Sequence, residues 1–294
     1  MRLNRVCPSS WIRPQLFSTG CQRRSLRSTA SPVPGTWLSG ARDSSSLPAP
    51  PADLTASQTQ TLPSPRYVED LISSLPLIRY VRSTPATSNP STGVTYTEFR
   101  PLRTMHPSAQ STHLVTTSMI STSKLPIDPI FFLKRPLTES RPRTQQNNKI
   151  EIIATAYLST HLTGHAGYIH GGLLGVLFDD AFARLAAEIF PSGIGMTANL
   201  TLDFRAPAMP GRVYVYRVGI EKVEKLRKIW VCGSMRCLRE FGAQNMLERS
   251  VESANVMDGG GLSVEEREGV LVAEARGLFV EPKGAKGMVP LFPK

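Results

Sequence analysis

One stretch of this 294-residue chain, His170–Phe190, repeats apolar residues with helical spacing over about five turns, and strand-like segments surround it. Lys149–Ser159 precedes it. Met196–Phe204, Arg212–Val223, Lys228–Arg239 and Val270–Val280 follow, each rich in β-branched and apolar residues and bounded by Gly, Pro or charged turns. A single apolar helix among several long strands, with no βαβ alternation, predicts an α+β domain. Its long, curved antiparallel sheet wraps around the helix. The connection His161–Ile169 reads as a loop.

The helix opens on two adjacent glycines, Gly171 and Gly172. In a helix each is unfavourable by roughly 1 kcal/mol relative to Ala. Access explains them: without side chains, the unpaired first-turn N–H groups can approach a carbonyl oxygen and stabilise charge that develops on it. Close packing of a strand or a partner subunit explains them equally well. At 100° per residue, Asp179 lies about 20° from Gly172, on a narrow stripe with Gly175, Ala183 and Ala186. Leu174, Phe178, Ala181, Leu185 and Ile189 form the broad apolar side. A carboxylate among small residues, where another backbone or a ligand can come close, is the functional candidate. Its neighbour Asp180 lies near Arg184 at i+4 and is expected to form an exposed ion pair.

Upstream, the chain changes character. The net charge is +11, yet residues 1–42 hold seven Arg, no Lys and no acidic residue, which leaves +4 for the rest. The surplus is therefore not a basic face for nucleic acid. An Arg- and Ser-rich, acid-free start with broken apolar runs reads as a mitochondrial transit peptide over 1–42. Residues 43–65 read as a Ser/Pro/Thr linker. At the start of the next region, 66–148, Ser64 and Pro65 open a helix to Leu75 that Pro76 ends or kinks. His113–Ser121 and Ile130–Leu133 read as short extended pieces. Residues 283–294 form a tail. No apolar run is long enough to span a bilayer as a helix.

Taken together, His170-Gly171-Gly172 and Leu177-x-Asp179-x-Ala181 resemble the HGG(x)4LxDxA signature of hotdog-fold acyl-CoA thioesterases of the PaaI-like and thioesterase-superfamily-member type. Met196-Thr197-Ala198-Asn199-Leu200, Arg205-Ala206-Pro207 and Pro210-Gly211 continue the likeness, which covers a domain of about residues 149–282. The resemblance implies that Gly171 donates the oxyanion-hole N–H and that His170 fixes the first turn. Asp179 then activates water or attacks the thioester, and Thr197 assists it. Gly172, Gly164, His165, Asn199 and Arg205 are the expected substrate-lining positions. In one place the chain departs from the pattern: relatives carry Asn six residues before the motif His, and here that position is Gly164, with His165 beside it.

Gly171 and Asp179 are eight residues apart, about 12 Å along one helix, whereas oxyanion donor and attacking group must meet at one carbonyl. Two antiparallel helices packed through the small-residue stripe satisfy both, which predicts a homodimer, or a dimer of such dimers, with shared sites. No cofactor is expected beyond the coenzyme A of the acyl-CoA substrate. His161, His165 and His170 lack the Cys or HxxxH partners of a zinc site, so no metal is expected. Cys232 and Cys237 read as sheet residues. The reading from another class is a catalytically weak acyl-thioester binder or assembly factor of mitochondria.

Overall fold

The computed structural model describes residues 62–84, 94–136, 150–239 and 261–292. The transit peptide expected over 1–42, and nearly all of the linker expected over 43–65, lie outside them.

The strands, in chain order, are β1 (Val94–Phe99), β2 (Ile130–Pro136), β3 (Glu151–Leu158), β4 (Thr163–His165), β5 (Tyr168–Ile169), β6 (Met196–Phe204), β7 (Arg212–Glu224), β8 (Lys228–Cys237) and β9 (Val270–Val280). Seven of them form one antiparallel sheet in the order β1-β2-β3-β7-β8-β9-β6, with β4 and β5 as a separate hairpin. Helices α1 (Pro65–Ser74), α2 (Pro76–Ser83), α3 (Gly171–Ile189) and α4 (Val264–Glu268) complete the framework.

Both faces of the sheet are covered, and this explains apolar runs such as Ile152-Ile153-Ala154 that do not alternate with polar residues. Phe131, Leu133, Ile152, Ala154, Tyr214 and Tyr216 point to the face that packs on α3. Their neighbours Ile130, Phe132, Ile153, Val213 and Val215 point to the outer face, under Val68, Leu71, Ile72, Leu75, Leu77, Ile78 and Val81 of the α1–α2 region. An aromatic chain fills the inner layer: Phe131 packs edge-on against Tyr216, Tyr216 against Phe178, and Phe178 stacks on Phe182. This is a hotdog fold, with α3 wrapped by the sheet and the outer face closed by the chain's own N-terminal helices.

Ser64 caps α1 as expected, its Oγ accepting the Tyr67 N–H. Pro76 breaks that helix and then opens α2, at a position where a missing N–H costs no hydrogen bond. Neither α2, β1 nor α4 was anticipated. The segment His113–Ser121, expected to be extended, is instead a π-helical turn over Leu114–Ser118. Its Val, Thr and Ile residues favour strands by propensity, but local side-chain bonds take up the backbone: His113 Nδ1 accepts the Thr116 N–H at 3.3 Å. The loop His161–Ile169 contains a 3-10 turn at Thr160–Leu162 and the β4–β5 hairpin. A boundary at residue 149 divides the sheet, because β2 pairs with β3 in register from Ile130↔Thr155 to Lys134↔Glu151.

On the outer face, buried Arg217 of β7 is gripped by α4. Its Nε donates to Glu266 Oε1 at 2.6 Å and its Nη2 to Glu266 Oε2 at 2.7 Å, while Nη1 reaches Glu151 at 3.4 Å. Glu265 beside it accepts the Leu77 N–H of α2 at 2.7 Å. The four charged residues thereby tie α2, α4, β3 and β7 together.

Candidate active site

The site is built where α3 crosses the edge strand β6. The approach to α3 is fixed by backbone bonds from Ile169 N–H to Ala208 O and from His170 N–H to Leu162 O, both 2.8 Å. His170 is the N-cap: its Nδ1 accepts the Gly172 N–H at 2.9 Å, which leaves the ring proton on Nε2 in the neutral form. Among the described residues, the Gly171 N–H has no partner. An unoccupied donor at the positive end of a 19-residue helix is suited to an oxygen that gains negative charge.

Gly164 lies under the His170 ring. A Cβ at this position would come 2.8 Å from His170 Cδ2 and 3.2 Å from its Cα. The capping histidine therefore occupies the space that an Asn side chain would need. The glycine is a packing requirement of the cap.

Farther along, β6 runs beside the helix in the opposite direction. Phe204 lies over Gly171 and Leu202 over Gly175, at 3.1 Å and 3.3 Å from where Cβ atoms would stand. Part of the small-residue stripe thus receives side chains from the same chain. Gly172, Val176, Asp179 and Ala183 remain wholly or partly exposed.

Asp179 meets Thr197, whose hydroxyl donates to its Oδ1 at 2.7 Å. Simple alternation does not produce this contact. Leu202 and Leu200 face the helix, so an unbroken strand would turn residue 197 to the opposite face. Between Thr197↔Phe279 and Asn199↔Leu278 the register slips by one residue, which leaves Ala198 as a β-bulge. The bulge reverses the parity and aims Thr197 at Asp179.

A model of the thioesterase superfamily matches residues 166–227, from the loop before His170 to the β7–β8 turn. Over these residues the chain is similar to the thioesterase superfamily. Acyl-coenzyme A thioesterase THEM4 of Rattus norvegicus is 37% identical over 71 residues, which cover 24% of this chain and 29% of that protein. An uncharacterized protein of Schizosaccharomyces pombe is 30% identical over 124 residues, 42% of this chain and 56% of its own length. An uncharacterized mitochondrial protein of Candida albicans is 26% identical over 160 residues, 54% and 56% of the two chains. The chain thus spans little more than half the length of the latter two.

Not every expected residue joins the site. Asn199 lies on the face of β6 away from Thr197, its Oδ1 3.3 Å from the Thr201 hydroxyl. Arg205 donates to Glu274 at 2.7 Å and lies 3.6 Å from Asp203. His165 is exposed on the β4–β5 hairpin. Among the described residues, no group of three or more His, Cys, Asp or Glu side chains is arranged to hold a metal ion. No helix among them is long and apolar enough to cross a membrane.

The clearest correction concerns Asp180. It is not an exposed partner of Arg184: its side chain is 7% exposed and lies 3.4 Å from His113 Nε2. Arg184 is itself buried, its guanidinium between the rings of Phe99 and Phe292 at 4.4 and 4.3 Å, with Glu188 at 3.9 Å. Burial, then the charges of Asp128 and Asp179, push the Asp180 carboxyl up to about 7. Burial also raises Asp128 to about 6 and lowers His113. His113 and Asp128 lie more than 50 residues before Asp180, so helical geometry alone had no means of finding them.

Proposed function

We propose that this protein is an acyl-CoA thioesterase that hydrolyses acyl-CoA to a fatty acid and coenzyme A in a homodimer. The observation that carries the reading is the contact between Thr197 and Asp179 on the exposed side of α3, eight residues along the same helix from the open Gly171 amide. A polarising donor and a carboxylate about 12 Å apart on one helix cannot serve the same carbonyl. The second chain supplies what is missing. β6 is the edge strand of the sheet, and beside it runs the partly exposed stripe of Gly172, Val176, Asp179 and Ala183. Pairing of two such edges about a two-fold axis sets Gly171 of one protomer opposite Asp179 and Thr197 of its partner.

In that arrangement the Gly171 N–H, at the positive end of α3, polarises the thioester carbonyl. The Asp179 carboxylate takes a proton from water as the water oxygen attacks the carbonyl carbon, or adds to that carbon itself and is released by water afterwards. The C–S bond breaks, the sulfur leaves as coenzyme A, and the acyl group leaves as the carboxylate. Thr197 holds the Asp179 carboxylate by its hydroxyl, and His170 keeps the first turn of α3 in shape. Sequence similarity to a protein named acyl-coenzyme A thioesterase supports the substrate class. The acid-free, Arg-rich N-terminus and the similarity to a protein named mitochondrial support a mitochondrial location.

The test is release of free thiol from a chain-length series of acyl-CoAs by the purified protein. A Gly171→Pro chain mixed with an Asp179→Ala chain regains activity, since one of the two sites in the heterodimer carries neither lesion. Failure to hydrolyse any acyl-CoA overturns the reading in favour of an acyl-thioester-binding protein.

A further inference from the structure

Beneath the proposed site lies a second polar cluster that the hydrolysis described above does not use. Asp180 follows Asp179 in α3 and points the other way, into the layer between helix and sheet. Four elements bring charged or titratable groups to it: His113 from the cap of the π-helical turn, Asp128 from the loop before β2, Tyr216 from β7, and Asp179 and Arg184 from α3 itself. Four buried polar atoms of these residues, Asp128 Oδ1, Tyr216 Oη and Arg184 Nε and Nη1, have no hydrogen-bond partner among the described residues.

The tautomer of His113 defines the contact with Asp180. Its Nδ1 accepts the Thr116 backbone N–H at 3.3 Å, and a backbone N–H can only donate. The neutral ring therefore carries its proton on Nε2, the atom that stands 3.4 Å from Asp180 Oδ1. A second ring proton would have to displace the Thr116 N–H, and burial opposes it as well. In its neutral form the ring thus presents Nε2–H towards Asp180.

We infer that Asp180 is a positioning residue for Asp179: its buried side chain, 3.4 Å from His113 Nε2, docks the turn 113–118 onto the helical turn that presents the proposed catalytic carboxylate. The inference rests on the thioesterase reading of Asp179. It gives the stretch between β1 and β2, which holds both His113 and Asp128, a part in the site. Ionisation of Asp180 would place a negative charge in the core beside Asp128 and one residue from Asp179, which the Arg184 charge and the His113 N–H offset only in part. The docked turn then loosens and Asp179 loses its alignment with the partner's Gly171.

Two readouts on the full chain test this. In the first, kcat for acyl-CoA hydrolysis is followed across pH 6 to 9. Wild type falls as pH rises through about 7, where Asp180 ionises. Asp180→Asn, neutral at every pH and still able to accept the His113 N–H, keeps its kcat. Asp180→Leu, which cannot accept it, loses about tenfold in kcat at every pH with KM unchanged. The second readout is amide hydrogen exchange over residues 113–119, which needs no activity. Exchange is faster in Asp180→Leu and in His113→Gln than in wild type, and unchanged in Asp180→Asn below pH 7. Equal kcat–pH profiles for wild type and Asp180→Asn, or equal exchange in wild type, Asp180→Leu and His113→Gln, overturn the inference. Absence of hydrolysis in every form overturns the thioesterase reading instead, and the exchange data then decide the docking alone. If Asp180→Leu does not fold, His113→Gln carries the same comparison.

Discussion

Glu266→Gln is the substitution that most directly tests whether the outer layer is part of the folded unit. The Glu266 carboxylate forms a bidentate pair with Arg217, with side chains 1% and 5% exposed, and also accepts the Ser263 N–H at 2.9 Å. Gln keeps the shape but removes the charge and turns one acceptor into a donor facing the guanidinium. Breaking one side of a buried pair costs about 3–5 kcal/mol, because the remaining charge is left in the core. Glu151, 3.4 Å from Arg217 Nη1, stays as a partial partner and places this case at the lower end, about 3 kcal/mol. For a body of this size each kcal/mol moves Tm by about 2–4 °C, so a drop of about 6–12 °C is expected. Circular dichroism melts at pH 7 measure it. The Arg217 charge holds the Glu266 carboxyl below its usual 4.5 despite burial, so its stabilising effect is complete above pH 4.5 and fades as pH falls through the lower folded value. The gap between wild type and variant must therefore narrow in acid. A Tm change under about 2 °C at pH 7, or a gap that widens at low pH, refutes the reasoning.

Asp179→Asn should lower thioester hydrolysis by roughly 10², the scale for losing a positioned base, and leave binding of a non-hydrolysable acyl-CoA analogue intact by calorimetry. Thr197→Val, which removes only the bond to Asp179, should cost about tenfold in kcat. Deleting Ala198 removes the bulge and turns Thr197 to the other face, so it should match or exceed the loss in Thr197→Val while melts show a folded protein. Asp180→Asn should be more stable than wild type at pH 8 and lose this advantage towards pH 4: the folded protein keeps a proton up to about pH 7 that the unfolded chain releases near 3.8, so wild-type stability declines with pH between those values. A chain starting at residue 85 uncovers the outer face of the sheet and forgoes the burial of seven apolar side chains, on the order of 10 kcal/mol before chain entropy, so it should be recovered insoluble.

The sequence by itself determined the parts of this protein that depend on local spacing. Helix α3 and strands β6 and β9 were legible to the residue or nearly so, because one apolar period and a few breakers define them. The HGG start, the orientation of Asp179 and the cap at Ser64 needed nothing beyond helical geometry. What tertiary structure decided was every relation that joins distant segments. Thr197 reaches Asp179 only because a bulge at Ala198 shifts the register against β9, and nothing in Met196-Thr197-Ala198-Asn199 marks that residue as the extra one. The strand-forming composition around His113 gave way to a π-helical turn because local side-chain bonds satisfied its backbone. Asp180 and Arg184, spaced as an exposed ion pair, are instead buried against residues from distant segments: Asp180 against His113, Arg184 between two phenyl rings. A helical wheel fixes the direction in which a side chain leaves the axis; the chain segments packed there, Phe99, His113, Asp128 and Phe292, decide whether that direction leads to water or into the core.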